Sequence, residues 1–547
     1  MNKKLAAMIA TAAVTAMTGA GTTFAEEVKE FTAFFAVPGT EINKDNDIQQ
    51  IIAEKTGVKV DETWLTGQTE EEAIGTMIAG DQYPDFIDGG VATSSLYEAG
   101  ALIPLDDYIE QYPNLKNYYT EEQWESLRQD DGHIYWINQF DNILGEDKTT
   151  TQTLGAFWIQ ARVLEWAGYP EVKTLDQYFD LIESYNEANP TMEDGTPNIP
   201  YTILCEGTKF FGLTGAPLEL AGYPNEGSVY VDEEALQCVD YNVTDLTKQY
   251  YQKLNEGYKS GLVDPEAFTQ TYDEYIAKLS SGRVLGMHDQ WWSFHTPVEN
   301  AIAQAGLDAQ GCDYIPLGIT MDESIQNRWF TLQDTVNVAQ GIAITKDCKD
   351  PDAAAKFLSD LLDQEIRDLR FWGVEGVDYE VDENGAFYRT EEQRAQASDS
   401  AYIASHTCQY VWFPQYDGTS TDGINANKPE NQPGEFYDGL RSDIKKTFDA
   451  YGVKTYVEML GRNDAPGPWY PMWTYTNAMT TSTEGGVAFT MMDEVLHEYM
   501  PMVCIADDFE ATWQEFLDRY NSCNPQAFMD EVQGELERRI EAHKAFE

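Results

Sequence analysis

The chain has 547 residues and a formal net charge of −59, and 42% of it is hydrophobic and 13% aromatic. That is enough apolar surface for large cores and for more than one domain. A field of this sign repels nucleic acid and anionic lipid surfaces, so neither is an expected partner, and the even spread of the acids along the chain describes a solvated surface.

Lys3 and Lys4 precede a small apolar run at residues 5–20, and Thr23-Phe24-Ala25 stands before Glu26-Glu27. This is the pattern of an export signal over residues 1–25, and the run is too short and too rich in Ala and Thr for a membrane span. No Cys lies at the cleavage point to carry a lipid, so an exported, unlipidated protein outside the cell or at its surface is expected. The seven cysteines are far apart, without C-x-x-C or zinc-type spacing. They read as small buried residues, with one or two disulfides left open.

Residues 31–37 form an apolar run ending at Pro38-Gly39, the pattern of a buried strand. Ile48, Ile51 and Ile52 lie at helical spacing before Gly57, residues 58–64 alternate as a strand, 70–78 read as a helix and 85–88 as a strand. The order β-α-β-α-β predicts a mostly parallel sheet with helices on its faces, and ligands bind at the carboxyl ends of such strands. The pattern returns with helices at 174–187, 273–279 and 351–362 and strands at 282–287 and 341–345. Two aromatic, Pro-rich stretches follow at 408–416 and 467–475, and the last sixty or so residues read as helical.

The segment IIAEKTGV at 51–58, with Met77-Ile78-Ala79-Gly80-Asp81 and Pro84-Asp85, resembles the first lobe of extracellular solute-binding proteins of sugar ABC importers. GYKSGLVDPEAFT at 257–269 is similar to their second lobe, and GIAITKDCKDPDAAAKFLSDLL through GVEGVDYEVDENG, at 341–385, resembles the large oligosaccharide-binding subgroup. The resemblance implies a two-lobed periplasmic-binding-protein-like α/β fold of type II, closing like a hinge on a sugar. It implies an N-terminal lobe from 26–145 plus 316–375 and a C-terminal lobe from 146–315 plus 376–547. It also implies ABC permease subunits as partners of a monomeric, cofactor-free chain. Relatives of this size carry a calcium loop after the helix matching 174–187. Here Pro190 and Met192 fall where oxygen ligands belong, so no metal is expected.

Sugars present apolar C–H faces and a hydroxyl rim, which call for aromatic platforms edged by polar groups. Trp291 and Trp292 follow a strand where the family places a stacking aromatic, and only one of two adjacent residues in extended chain faces a cleft. Trp136 near the first crossover, Trp412, Trp469 and Trp473 are further candidate platforms. Asp88, Asp289 and Gln333 are candidate rim groups, with Trp64 and Asn138 behind them. Trp124, Trp166, Trp372 and Trp513 lie in helical patterns and read as core. An aromatic and acidic cleft suits a neutral oligosaccharide. A non-sugar solute such as a peptide stays open as an alternative. A secreted glycan-active enzyme is the second alternative, but the chain has no G-x-S-x-G, H-E-x-x-H or Walker motif to support it.

Overall fold

A computed structural model of the chain describes residues 28–39, 41–140, 142–151, 155–331 and 336–546. The expected export signal lies outside the described residues. Two larger sheets organise the chain. Their strands are β1 (Lys29–Phe35), β2 (Val58–Trp64), β3 (Phe86–Asp88), β4 (Trp136–Ile137), β5 (Gly155–Gln160), β6 (Ile199–Thr202), β7 (Val284–Gln290), β8 (Tyr314–Leu317) and β9 (Ile342–Ile344).

The first sheet has the order β2-β1-β3-β9-β4. β1 pairs in parallel with β2 from Lys29↔Val58 to Phe35↔Trp64, and with β3 on its other side. The intervening helices are α1 (Asp47–Thr56) and α2 (Glu70–Gly80). Asn46 caps α1 and Gly57 ends it at φ 74, while Thr69 and Glu72 close a capping box on α2. This is the β-α-β-α-β run expected from the sequence. Phe34, Phe86, Ile87 and Ile344 are buried, as a sheet covered on both faces requires.

The second sheet has the order β8-β5-β7-β6. β5 is central and buried along all six residues, with β7 and β8 antiparallel to it. Helix α3 (Leu175–Ala188) lies against this sheet, and its Tyr178 hydroxyl donates to the Trp158 carbonyl at 2.6 Å. Gly286 makes room, because a Cβ there would stand 2.2 Å from that hydroxyl. The helices α4 (Asp245–Ser260), α5 (Trp291–Ala305), α6 (Pro351–Asp360), α7 (Glu484–Ile505), α8 (Phe509–Asn521) and α9 (Pro525–His543) complete the larger helical elements used below. Phe516, Phe528, Val532 and Leu536 bury the C-terminal helices in the second core.

The packing redraws three expectations. Residue 316 falls inside β8, a strand of the second sheet, and Ile319 packs in the second core, so the return to the first lobe comes later. Cys408, Tyr410, Phe413 and Tyr416 pack in the first core, not the second. Trp166, expected in a core, is 47% exposed. All seven cysteines are free thiols, five of them buried.

Candidate functional site

The chain leaves the end of β4 to enter the start of β5, and leaves the end of β8 to enter the start of β9. These crossovers leave the first sheet at the carboxyl end of β4 and enter the second at the edge where β7 and β8 finish. Gly155, the first residue of β5, is paired with Gln290, the last of β7. Each set of strand ends carries a cluster of aromatic rings, a first wall and a second.

On the first wall Trp64 ends β2 and lies 5.0 Å from Phe35, ring centre to ring centre. Trp412 stands 6.2 Å from Phe35 and meets Phe140 edge-on at 5.0 Å. Trp64 and Trp412 are both half-buried. Gly39 permits the seat of Trp64, since a Cβ there would stand 2.0 Å from the indole. Asp88 ends β3 as expected, but its carboxylate turns inward. Gln139 Nε2 donates to it at 2.7 Å and the Gly90 amide at 2.9 Å, and burial pushes its carboxyl above the usual range.

On the second wall Trp291 and Trp292 open α5 instead of extending β7. Trp292 is 52% exposed, whereas Trp291 is half-buried with its ring 4.0 Å from His295. Trp292 is therefore the one that offers a platform. The Lys209 ammonium lies 4.7 Å from its ring centre and 4.8 Å from that of Tyr272, and Phe211 stands 5.3 Å from the indole. Such cation–aromatic contacts fix ring orientation. Lys209 and Phe211 come from one segment and Tyr272 from another, and no local pattern in the sequence singles them out.

Asp289 is buried beneath Trp292, with the Tyr275 hydroxyl donating at 2.9 Å and the Gln290 amide at 2.7 Å, and burial pushes its carboxyl up to about 6. Both acids expected on the rim thus support the walls from behind. His288 is also internal, with Nδ1 2.9 Å from the Gly212 carbonyl and Nε2 3.1 Å from Glu219, whose carboxyl burial pushes up to about 7.

Other candidates do not converge on the walls. Trp136 is core, its Nε1 donating to the Val338 carbonyl at 3.1 Å, and Asn138 is buried beside it. Trp469 is buried in the second core, because its loop folds under α9 and Arg539 donates to its carbonyl at 2.9 Å. Trp473 is half-buried against Gly227, where a Cβ would meet it at 2.6 Å. Gln333 lies outside the described residues.

The loop after α3 does not fit a calcium ion, which takes six to eight oxygens. Met192 is buried in it, the Asn198 amide is engaged at both ends, and the Asp194 carboxylate accepts from the Thr196 amide at 2.8 Å.

Two α/β lobes with crossovers at facing strand ends define the periplasmic-binding-protein-like fold of ABC-transporter solute-binding proteins, and the chain has that fold. Among curated proteins it is similar to the fructooligosaccharide ABC transporter substrate-binding protein FusA of Streptococcus pneumoniae, at 27% identity over 288 residues, 50% of this chain and 52% of FusA. The chain thus matches about half the length of that relative. The structure of S. pneumoniae FusA in complex with kestose superposes with a TM-score of 0.64 at 17% identity, covering 95% of this chain and 100% of that one. The alginate-binding protein AlgQ2, solved without calcium ion, gives 0.62 at 17% identity over 93% of this chain and 98% of that one. No protein-family model matches.

Proposed function

We propose that the chain is the substrate-binding subunit of an ABC importer and captures a neutral oligosaccharide between its two lobes. The observation that carries this reading is the pair of aromatic walls, Trp64, Phe140 and Trp412 over the buried Phe35 on one side and Trp292 with Phe211 on the other. Rings on both walls suit the two apolar faces of a sugar. Closure of the lobes then couples binding energy to an open–closed equilibrium that a permease reads. The first lobe in this reading takes residues 28–145 and the chain from β9 to about 427, whose later part is held to it by Asn46, Asp47, Arg367 and Trp372; the rest belongs to the second. Among the described residues no helix is long and apolar enough to cross a membrane. The role in this reading is capture without turnover.

Calorimetry against neutral oligosaccharides, with mixed peptides as the contrast, tests the reading. Heat is expected from at least one glycan, and Trp292→Ala should weaken that binding about tenfold or more, about 1.4 kcal/mol. Heat from peptides alone would replace the sugar with a peptide ligand, and sugar released from the glycan would make the chain an enzyme.

A further inference from the structure

Arg162 follows β5 and occupies a junction of three elements: its own turn, the loop 189–198 after α3, and the Gly282 turn before β7. Its Nε donates to Gln160 Oε1 at 2.7 Å. Its Nη2 donates to Asn198 Oδ1 at 3.2 Å and to the Gly282 carbonyl at 2.9 Å, and Nη1 points at the Met192 sulfur at 3.1 Å. The Tyr185 ring lies below the guanidinium at 5.7 Å. Among the described residues no carboxylate pairs with it. The surround is therefore one amide oxygen from the end of its own strand, one from the loop, one main-chain carbonyl, a thioether and a π-face. All are neutral groups that stabilise a positive charge through lone pairs or ring electrons.

These groups are held from behind as tightly as the ligands of an ion. The Gly282 carbonyl also accepts Gln160 Nε2 at 2.9 Å, and Gly282 takes φ +72 to present it. Asn198 Nδ2 donates to the Asn189 carbonyl at 2.7 Å, closing the loop on itself. The Met192 amide donates to the Thr196 carbonyl at 2.8 Å, so the thioether is fixed under the guanidinium. The Arg162 amide donates to the Gly311 carbonyl at 2.9 Å, and a side chain at Gly311 would press within 2.9 Å of Arg162.

We infer that Arg162 is the resident cation of the second lobe: its guanidinium does for the loop 189–198 what a bound calcium would do, and it leaves no vacant place for one. A tethered cation binds without the entropy cost of capturing an ion and without dependence on ion concentration. Loop geometry, and any ligand capture that depends on it, is then independent of calcium.

Thermal unfolding of the full chain tests this with wild type, Arg162→Ala and Arg162→Lys. Excess EDTA and added calcium are expected to leave the wild-type melting temperature unchanged within about 1 °C. Arg162→Ala should melt about 5–10 °C lower, because three oxygens lose a shared donor. Arg162→Lys, which keeps the charge but not the fork, should fall between the two. Free guanidinium at low millimolar concentration should recover part of the loss in Arg162→Ala and none in wild type. Should Arg162→Ala fail to accumulate as folded protein, Arg162→Lys with and without EDTA decides. A rise in wild-type melting temperature with calcium, a fall with EDTA, or an Arg162→Lys variant as stable as wild type would overturn the inference.

Discussion

Replacing Arg370 with methionine is expected to destabilise the first lobe by about 3–5 kcal/mol, the cost of stranding buried partners of a charge. Arg370 is buried, and its donors reach only main-chain carbonyls. Nε donates to Gln409 at 2.9 Å, Nη1 to Leu361 at 2.9 Å and Pro414 at 2.8 Å, and Nη2 to Tyr410 at 2.9 Å and Phe413 at 3.4 Å. Four of these carbonyls belong to the segment that carries Trp412. The guanidinium thus nails an irregular stretch of chain to the first lobe and sets the height of an aromatic wall. Its loss leaves those carbonyls unpaired in the core and frees the Trp412 platform. Denaturant unfolding should show the stability loss, and calorimetry a weaker glycan heat. Lysine at 370 should rescue little, since a point charge cannot serve carbonyls arrayed around a planar fork.

Stability should rise as the pH falls from 8.5 to 5.5. Burial pushes Glu62 up to about 8, Glu226 to about 8, Glu219 to about 7 and Asp289 to about 6, and raises Asp443 beside Asp313. These folded values lie above the ordinary carboxyl values, so the folded chain holds protons that the unfolded chain releases. The stability they contribute is complete below about pH 4.5 and is lost as the pH climbs towards 8. Glu299 and Glu535 act in the opposite sense. His295 and Arg441 hold the first below its usual value, and Arg538 and Arg539 the second, against the effect of burial. Their contribution is present above about pH 4.5 and is lost in stronger acid. The maximum should therefore fall near pH 5. Between 8.5 and 5.5 the gain is on the order of 5 kcal/mol, or about 10 °C in melting temperature. A flat profile across that window, or a fall on acidification, would refute the assignment of these carboxyls as protonated in the fold.

The first sheet was legible because its signals are local. Residues 58–64 alternate, Thr69 and Gly57 punctuate the helices, and β1 to β3 follow one another without interruption. The destination of residues 408–416 was not legible, because it depends on one arginine some forty residues earlier bonding to carbonyls that carry no sequence identity. The tryptophans divide the same way. Trp136, Trp469 and Trp292 stand in equally aromatic surroundings, and only tertiary packing decides which ring meets water. Asp88 and Asp289 do lie at strand ends, yet Gln139 and Tyr275 turn each of them inward. Trp291 and Trp292 begin a helix without a side-chain cap on Gln290, so no boundary marker separates them from the strand before.

Gly39 has one more consequence. Its α-carbon lies so close under the Trp64 indole that every other amino acid would displace the ring. Position 39 therefore has no silent neighbours among single substitutions: each of them re-aims the first platform from below. A change of ligand and a change at this glycine are thereby linked, although Gly39 itself presents no side chain to a sugar.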